Sequence, residues 1–281
     1  MAITARSIPL QHGPISVTCL TVRRPPHLIA ITRLRGENLN LNKYQLENYN
    51  LEGVGEIQDN SVHDDCGVSV YFRDIETKLI EHITRANAVF GAVAWLTSPE
   101  ILDALSLPEQ VQIIVQKEDF LRPDQDDQSG DEWKKLLHSK YSKLKFTIPR
   151  GDFDHWILGA TTMDNIYPLD PVRCAGCHNI AKKSAFPRMH NKFLVFANIE
   201  QGDDGGCPFY IIEPYAVWTG SFNFSKNATN SLENALYITN NNIVEAYFKE
   251  YTQIAAISEK LDWTSSWISP EWYIGYKNSN D

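Results

Sequence analysis

From Val68 onward the apolar residues fall into runs that switch between two periods. Val68 to Phe72 has strand character, Ile75, Leu79, Ile83 and Ala86 keep helical spacing, and Ala88 to Trp95 is apolar and strand-like. Residues two apart share a face of a strand, and residues three or four apart share a face of a helix, so the change of period marks a change of element. A second helix follows Pro99, and Val111 to Gln116 reads as another buried strand. Asp131 to Lys143 returns to helix, with Trp133, Leu136, Leu137 and Tyr141 on one side, and Leu144 to Ile148 is a strand ended by Pro149.

The second half repeats the theme. Lys192 to Ala197, Phe209 to Trp218 and Asn234 to Thr239 read as strands, and Ile243 to Ile257 as a helix. Asn242 is placed as its N-cap, with Glu245 three residues on, a variant of the capping box. Ile199 to Cys207 reads as an inserted loop, and Glu118 to Glu132 as an acidic, solvated connection. Strands that alternate with helices predict an α/β fold, a mixed β-sheet flanked by helices on both faces. Residues 1–65 have a different texture, with β-branched stretches at Ile15 to Val22 and Leu28 to Leu34 and an Asn-rich tract. They are expected to form a small β-rich N-terminal extension, leaving 66–281 as the main domain. No internal repeat is visible.

Composition narrows the setting. A chain of 281 residues can bury a real core without disulfides, and five cysteines is an odd count. The start lacks a basic segment followed by an apolar stretch, and no apolar run reaches membrane-spanning length. A soluble, cytoplasmic protein with no membrane partner is expected. A net charge of -9 argues against non-specific coating of nucleic acid, which depends on Lys and Arg meeting phosphates. Locally the balance reverses: Arg173, Lys182, Lys183, Arg188 and Lys192 occur with no Asp or Glu among them. A positive cleft on an acidic body would focus an anionic substrate there.

The chemistry concentrates nearby. His190 and Lys192 sit two residues apart at the start of an apolar strand, so an imidazole and an ammonium would share one face. Trp218-Thr-Gly-Ser-Phe-Asn-Phe-Ser225 places Ser221 and Asn223 at the same spacing after a second strand, and Glu233 follows ten residues later. Two adjacent strand ends would then offer a nucleophile, a cation, a hydroxyl and an amide to one phosphate. His138 and Lys140 repeat the His-x-Lys spacing, but in a helical segment where residues two apart diverge and with no Gly-Ser-x-Asn after them.

His190, Lys192, Gly220, Ser221, Asn223 and Glu233 match, position by position, the signature of the phospholipase D superfamily, which the chain resembles over about residues 66–260. Two departures stand out: Ala197 occupies the family's Asp position, and the two halves of the motif are unusually far apart. The resemblance implies a phospholipase D-like fold and a phosphodiesterase in which His190 attacks phosphorus to form a phosphohistidine. Lys192 and Asn223 would stabilise the non-bridging oxygens, Ser221 would add a hydrogen bond, and Glu233 would orient a histidine. A second histidine must protonate the leaving oxygen, and with one motif per chain it is expected from the partner in a homodimer. No cofactor is required by this chemistry. Lys182, Lys183, Arg188 and Lys226 are candidate contacts to the substrate.

A nuclease acting on DNA or RNA is the leading expectation. A phospholipid hydrolase and an idle nucleic-acid-binding module are the alternatives. Single-motif relatives in bacterial genome-conflict systems suggest antiviral defence, with a larger defence complex as a further partner. Cys174-Ala-Gly-Cys177-His178 formally matches a haem-attachment motif and also half of a zinc site. Cys207, or Cys66 after His63, could complete a structural zinc site. Asp152, Asp154 and His155 read as loop polar residues. Trp263, Trp267, Trp272, Tyr273 and Tyr276 read as a tail packing on the domain, although such rings could also stack bases.

Overall fold

The computed structural model describes residues 40–43, 45–47, 54–56, 59–122, 131–148, 168–204 and 207–269. The strands expected at 15–22 and 28–34, Asp152, Asp154, His155, Trp272, Tyr273 and Tyr276 lie outside them.

Among the described residues β1 (Gln45–Glu47) and β2 (Val54–Glu56) pair as a two-stranded antiparallel sheet. The main sheet contains β3 (Val62–Asp64), β4 (Val68–Tyr71), β5 (Ala88–Val93), β6 (Gln110–Gln116), β7 (Val172–Ala175), β8 (Lys192–Asp204), β9 (Cys207–Gly220) and β10 (Ala235–Ile238), in the spatial order β3-β4-β10-β9-β8-β5-β6-β7. The pairs β5–β6 and β6–β7 are parallel and the others antiparallel, so the sheet is mixed. The boundary expected near residue 65 falls between two paired strands, β3 and β4.

Helices cover both faces. α1 (Ile75–Ile83), α2 (Pro99–Leu105) and α3 (Asp131–Tyr141) pack on one side, and α4 (Asn241–Ala256) on the other. The apolar run of β5 follows from this: Val89 and Val93 join the core with Leu79, Ile83 and Ile101, whereas Phe90 and Ala92 meet Phe248, Tyr251 and Ala255. Truncating the fully buried Phe90 to alanine would cost on the order of 3–5 kcal/mol.

Several local expectations are corrected. The cap of α4 is Asn240, whose side chain accepts the N–H of Ile243 at 3.3 Å; the first of three consecutive asparagines starts the helix earlier than Asn242 would. Glu245 instead pairs with Lys249 at 2.8 Å. Leu144 to Ile148 forms no named strand: Lys145 accepts one backbone bond from Val111 (2.6 Å), and beyond it the Gln110 side chain replaces a ladder, accepting from the Thr147 N–H at 2.8 Å. On α3, Leu137 and Tyr141 are buried while Leu136 and Trp133 stay exposed.

The inserted loop is largely a β-ribbon. β8 and β9 remain paired from Asn198↔Glu213 to Asp204↔Cys207, past the point where β5 begins with Ala88 opposite Ala197. The register shifts between Phe196 and Ala197, where Pro214 enters β9 without an N–H to donate.

Candidate active site

The topology brings four strand ends to one edge. β5 ends at Val93, opposite Lys192, the first residue of β8, and β9 ends at Gly220, opposite Ala235, the first residue of β10. Gly220 allows the crowding there, since a Cβ would lie 2.2 Å from the carbonyl oxygen of Asn234. The next residues alternate: Phe222 and Phe224 are buried, while Ser221 is exposed and Asn223 half-buried. Phe224 also exchanges backbone bonds with the segment after β5, accepting from Thr97 and Ser98 and donating to Trp95. Two aromatic anchors thus hold the turn that presents the hydroxyl and the amide.

His190 is exposed, and its ring meets Trp95 edge-on with centroids 6.2 Å apart. Lys192 is nearly buried, with Nζ 3.2 Å from His190 Nδ1, 3.3 Å from Nε2 and 3.1 Å from the His190 carbonyl oxygen. Partial burial, and then the charges of Lys192 and Arg188, hold the imidazole below its usual pKa. Burial likewise lowers Lys192, opposed by the carboxylate of Glu233. Ser221 donates its hydroxyl hydrogen to Glu233 and accepts the N–H of Asn234 at 3.1 Å. Within the chain, then, Glu233 is hydrogen-bonded to Ser221 and acts on Lys192 electrostatically. Oδ1 of Asn223 is buried with no hydrogen-bond partner.

The basic stretch divides. Arg173 is fully buried, donating to the Ser258 hydroxyl at 2.9 Å and carbonyl at 3.1 Å, so it belongs to the core and not to a cleft. Lys182, Lys183, Arg188 and Lys226 are exposed. Asn179 shapes the turn that carries the two lysines, bonding both backbone groups of Lys183, and Lys182 has a left-handed φ of 48°. Arg188 lies 4.3 Å above the Phe186 ring.

The cysteine motif disperses. Cys174 is buried on β7, with its thiol toward the carbonyls of Glu259 and Lys260. Cys177 is buried, and His178 bonds Asp119 and faces Trp263. Cys66 is exposed, His63 bonds Ser69 at 2.6 Å, and the side chain of Cys207 lies outside the described residues. Among the described residues no three His, Cys, Asp or Glu side chains are grouped to hold a metal. His138 and Lys140 lie on α3, where Lys140 pairs with Asp103 at 2.6 Å. Trp263 is buried in the core and Trp267 is exposed. No helix among the described residues is long and apolar enough to cross a membrane.

Residues not singled out in the sequence complete the site. Trp95 touches His190, and Gln116 bonds the backbone just before it. A glutamine directly after the apolar run Ile113 to Val115 was the available signal for the second.

No family model matches the chain. Among solved structures it is similar to Nuc, a phospholipase D family member from Salmonella typhimurium, at 17% identity and a TM-score of 0.41, covering 68% of this chain and 95% of that one. It is also similar to NucT from Helicobacter pylori, at 18% identity and a TM-score of 0.38, covering 67% and 94%. In sequence it is 33% identical over 238 residues to the uncharacterized protein L381 of Acanthamoeba polyphaga mimivirus, spanning 81% of this chain and 75% of that protein. At that identity and coverage, this chain belongs to the family of the mimivirus protein.

Proposed function

We propose that the chain is a phosphodiesterase of the phospholipase D type, a nuclease that cleaves DNA or RNA through a phosphohistidine on His190. The observation that carries the reading is the approach of the Lys192 ammonium to the exposed His190 ring, on the strand edge that also presents Ser221, Asn223 and Glu233.

A neutral His190 nitrogen attacks phosphorus, the bond to the leaving oxygen breaks, and an acid gives that oxygen a proton. Water then attacks the phosphohistidine, losing its proton to the same group, and His190 is released. Lys192 and the Asn223 amide counter the charge on the non-bridging oxygens in both steps. Glu233 holds the Ser221 hydroxyl and opposes the effect of burial on Lys192, favouring its charged form. The acid is a second His190, from a partner subunit. Since the nucleophile and the cation are both side chains, no metal or other cofactor is assigned a step.

The test offers the protein DNA, RNA and phospholipid vesicles, each with and without a chelator. Cleavage of nucleic acid that survives the chelator, is absent in His190→Ala and leaves phosphate on His190 after denaturant trapping would support the reading. Activity in His190→Ala, or loss in chelator restored by magnesium, would overturn it. Cleavage of vesicles alone would move the substrate to phospholipids.

A further inference from the structure

Beside the motif the surface opens into a pocket of about 370 Å3. The rings of Trp95, Phe120 and Trp133 line it, and so do Asn223 and Glu233, so the pocket and the reaction centre share residues. Trp95 joins the two, with its ring against His190 and its indole N–H donating to Glu118 at 3.2 Å, which fixes its orientation. Phe120 and Trp133 meet at 63° with centroids 5.4 Å apart. Trp133 remains 46% exposed at the start of a helix whose Leu137 and Tyr141 are buried, so its indole is not committed to the core. A larger pocket, of about 490 Å3, borders the same Ala228 turn near Arg73 but reaches none of the five motif residues.

We propose that the aromatic pocket takes one unstacked nucleobase next to the scissile phosphate, making single-stranded nucleic acid the preferred substrate. The proposal rests on the phosphodiesterase reading and specifies the form of its substrate. Size agrees, since the volume lies at the lower end of small-ligand sites, which span roughly 300–1,000 Å3. Shape and polarity agree as well. Every base has a π-face that stacks on aromatic rings without regard to sequence. Ser225, Asn227 and Ser231 interrupt the rings, and the buried Oδ1 of Asn223 awaits a donor such as a base N–H. An alkyl chain would leave these polar groups unmet. Glu233 disfavours a second phosphate in the pocket, whereas a base is neutral. In a duplex the base would first have to leave the stack, which opposes cleavage of double strands.

The experiment uses short oligonucleotides as single strand, as matching duplex, and as single strands carrying one abasic position stepped along the chain. Wild type should prefer the single strand over the duplex by about tenfold or more in kcat/KM. Trp133→Ala should lose about tenfold on the single strand, mostly through KM, and Trp133→Phe should keep most of the activity. An abasic position beside the cut bond should cost wild type a similar factor and cost Trp133→Ala nothing further. Circular dichroism and melting temperature confirm that the exposed position tolerates the change. Equal cleavage of both forms, or Trp133→Ala and Phe120→Ala both matching wild type, would overturn the pocket while leaving the phosphodiesterase standing. Binding separates the two further. In His190→Ala, quenching of tryptophan fluorescence by a single-stranded oligonucleotide that Trp133→Ala weakens about tenfold supports the pocket even without turnover. Oligonucleotide binding unaffected by the pocket variants, or no oligonucleotide binding at all, refutes it.

Discussion

The side-chain oxygen of Gln116 accepts the backbone N–H of Met189 at 2.7 Å, one residue before His190. Its nitrogen donates to the carbonyls of Cys177 at 2.7 Å and Lys117 at 3.0 Å, so one buried amide joins the end of β6 to both ends of the irregular segment leading to His190. Gly176 makes room for it, with φ of +84° and a would-be Cβ only 2.3 Å from Gln116 Oε1. In the proposed mechanism Gln116 is therefore a positioning residue. Gln116→Met should lower kcat on the order of tenfold to a hundredfold with little change in KM, because it frees the nucleophile without touching the substrate. An unchanged kcat in a variant with the wild-type melting temperature would remove the role.

The acidity of His190 gives a second expectation. Burial first, then Lys192 and Arg188, hold its pKa below the ordinary 6.5. A nucleophilic imidazole must be neutral, so the acid limb of kcat/KM should lie below that value. Lys192→Met removes a nearby positive charge, which favours the protonated ring, so the limb should move to higher pH while the maximum rate falls. Burial is the larger cause and persists, so the move should be partial. A limb that stays in place or moves down would show that another group controls it.

How far the sequence foretold this molecule depends on the range of the interactions. The double-sided burial of β5 and the helical spacing of Ile75, Leu79 and Ile83 are local patterns, and the elements appear where those patterns lie. His190 and Lys192 stood out because the pair lies two residues apart at the entry to one strand, with Lys192 its first residue. The return strand was legible from Phe209 onward, but the outgoing strand of the ribbon beyond Ala197 was not, because its composition is polar and glycine-rich and its stability comes from a partner strand. At its tip Phe209 lies opposite Gly202 and covers the space a side chain would take, a cross-strand contact that spacing along the chain cannot show. Arg173 counted as cleft charge until Ser258, distant in sequence, took it into the core. The aromatic pocket depends on Trp95, Phe120 and Trp133 meeting from three elements.

A third expectation concerns the C-terminal segment. Lys117 and Glu259 form a buried ion pair, and the Lys117 ammonium also donates to the carbonyls of Ser265 at 3.1 Å and Trp267 at 2.7 Å. Removing one partner strands a charge in the core, so Glu259→Gln or Lys117→Met should each cost about 3–5 kcal/mol in urea unfolding. Replacing both with apolar residues should recover much of the loss. Additive losses in the double variant would mean that the two side chains act separately.

The last prediction follows from counting histidines. The proposed chemistry needs a nucleophile and an acid, and among the described residues the other histidines are engaged elsewhere. His63 bonds Ser69, and His82 stacks on Tyr237 with a pKa lowered to about 4 by burial. His138 lies on α3 against Tyr141, and His178 bonds Asp119. None of the four contacts His190 or lines the aromatic pocket. A partner's His190 would supply the missing group in a two-fold arrangement. Mixed dimers of wild type and His190→Ala would then lack either the nucleophile or the acid and should be nearly inactive. With free exchange at equal amounts, random pairing leaves about a quarter of the dimers fully wild type, so activity should follow the square of the wild-type fraction. A chain that supplies its own acid would decline linearly, to about half. Linear decline with subunit exchange verified, or full activity in a protein that light scattering shows to be a monomer, would place the acid within the chain and make His155 the first residue to replace.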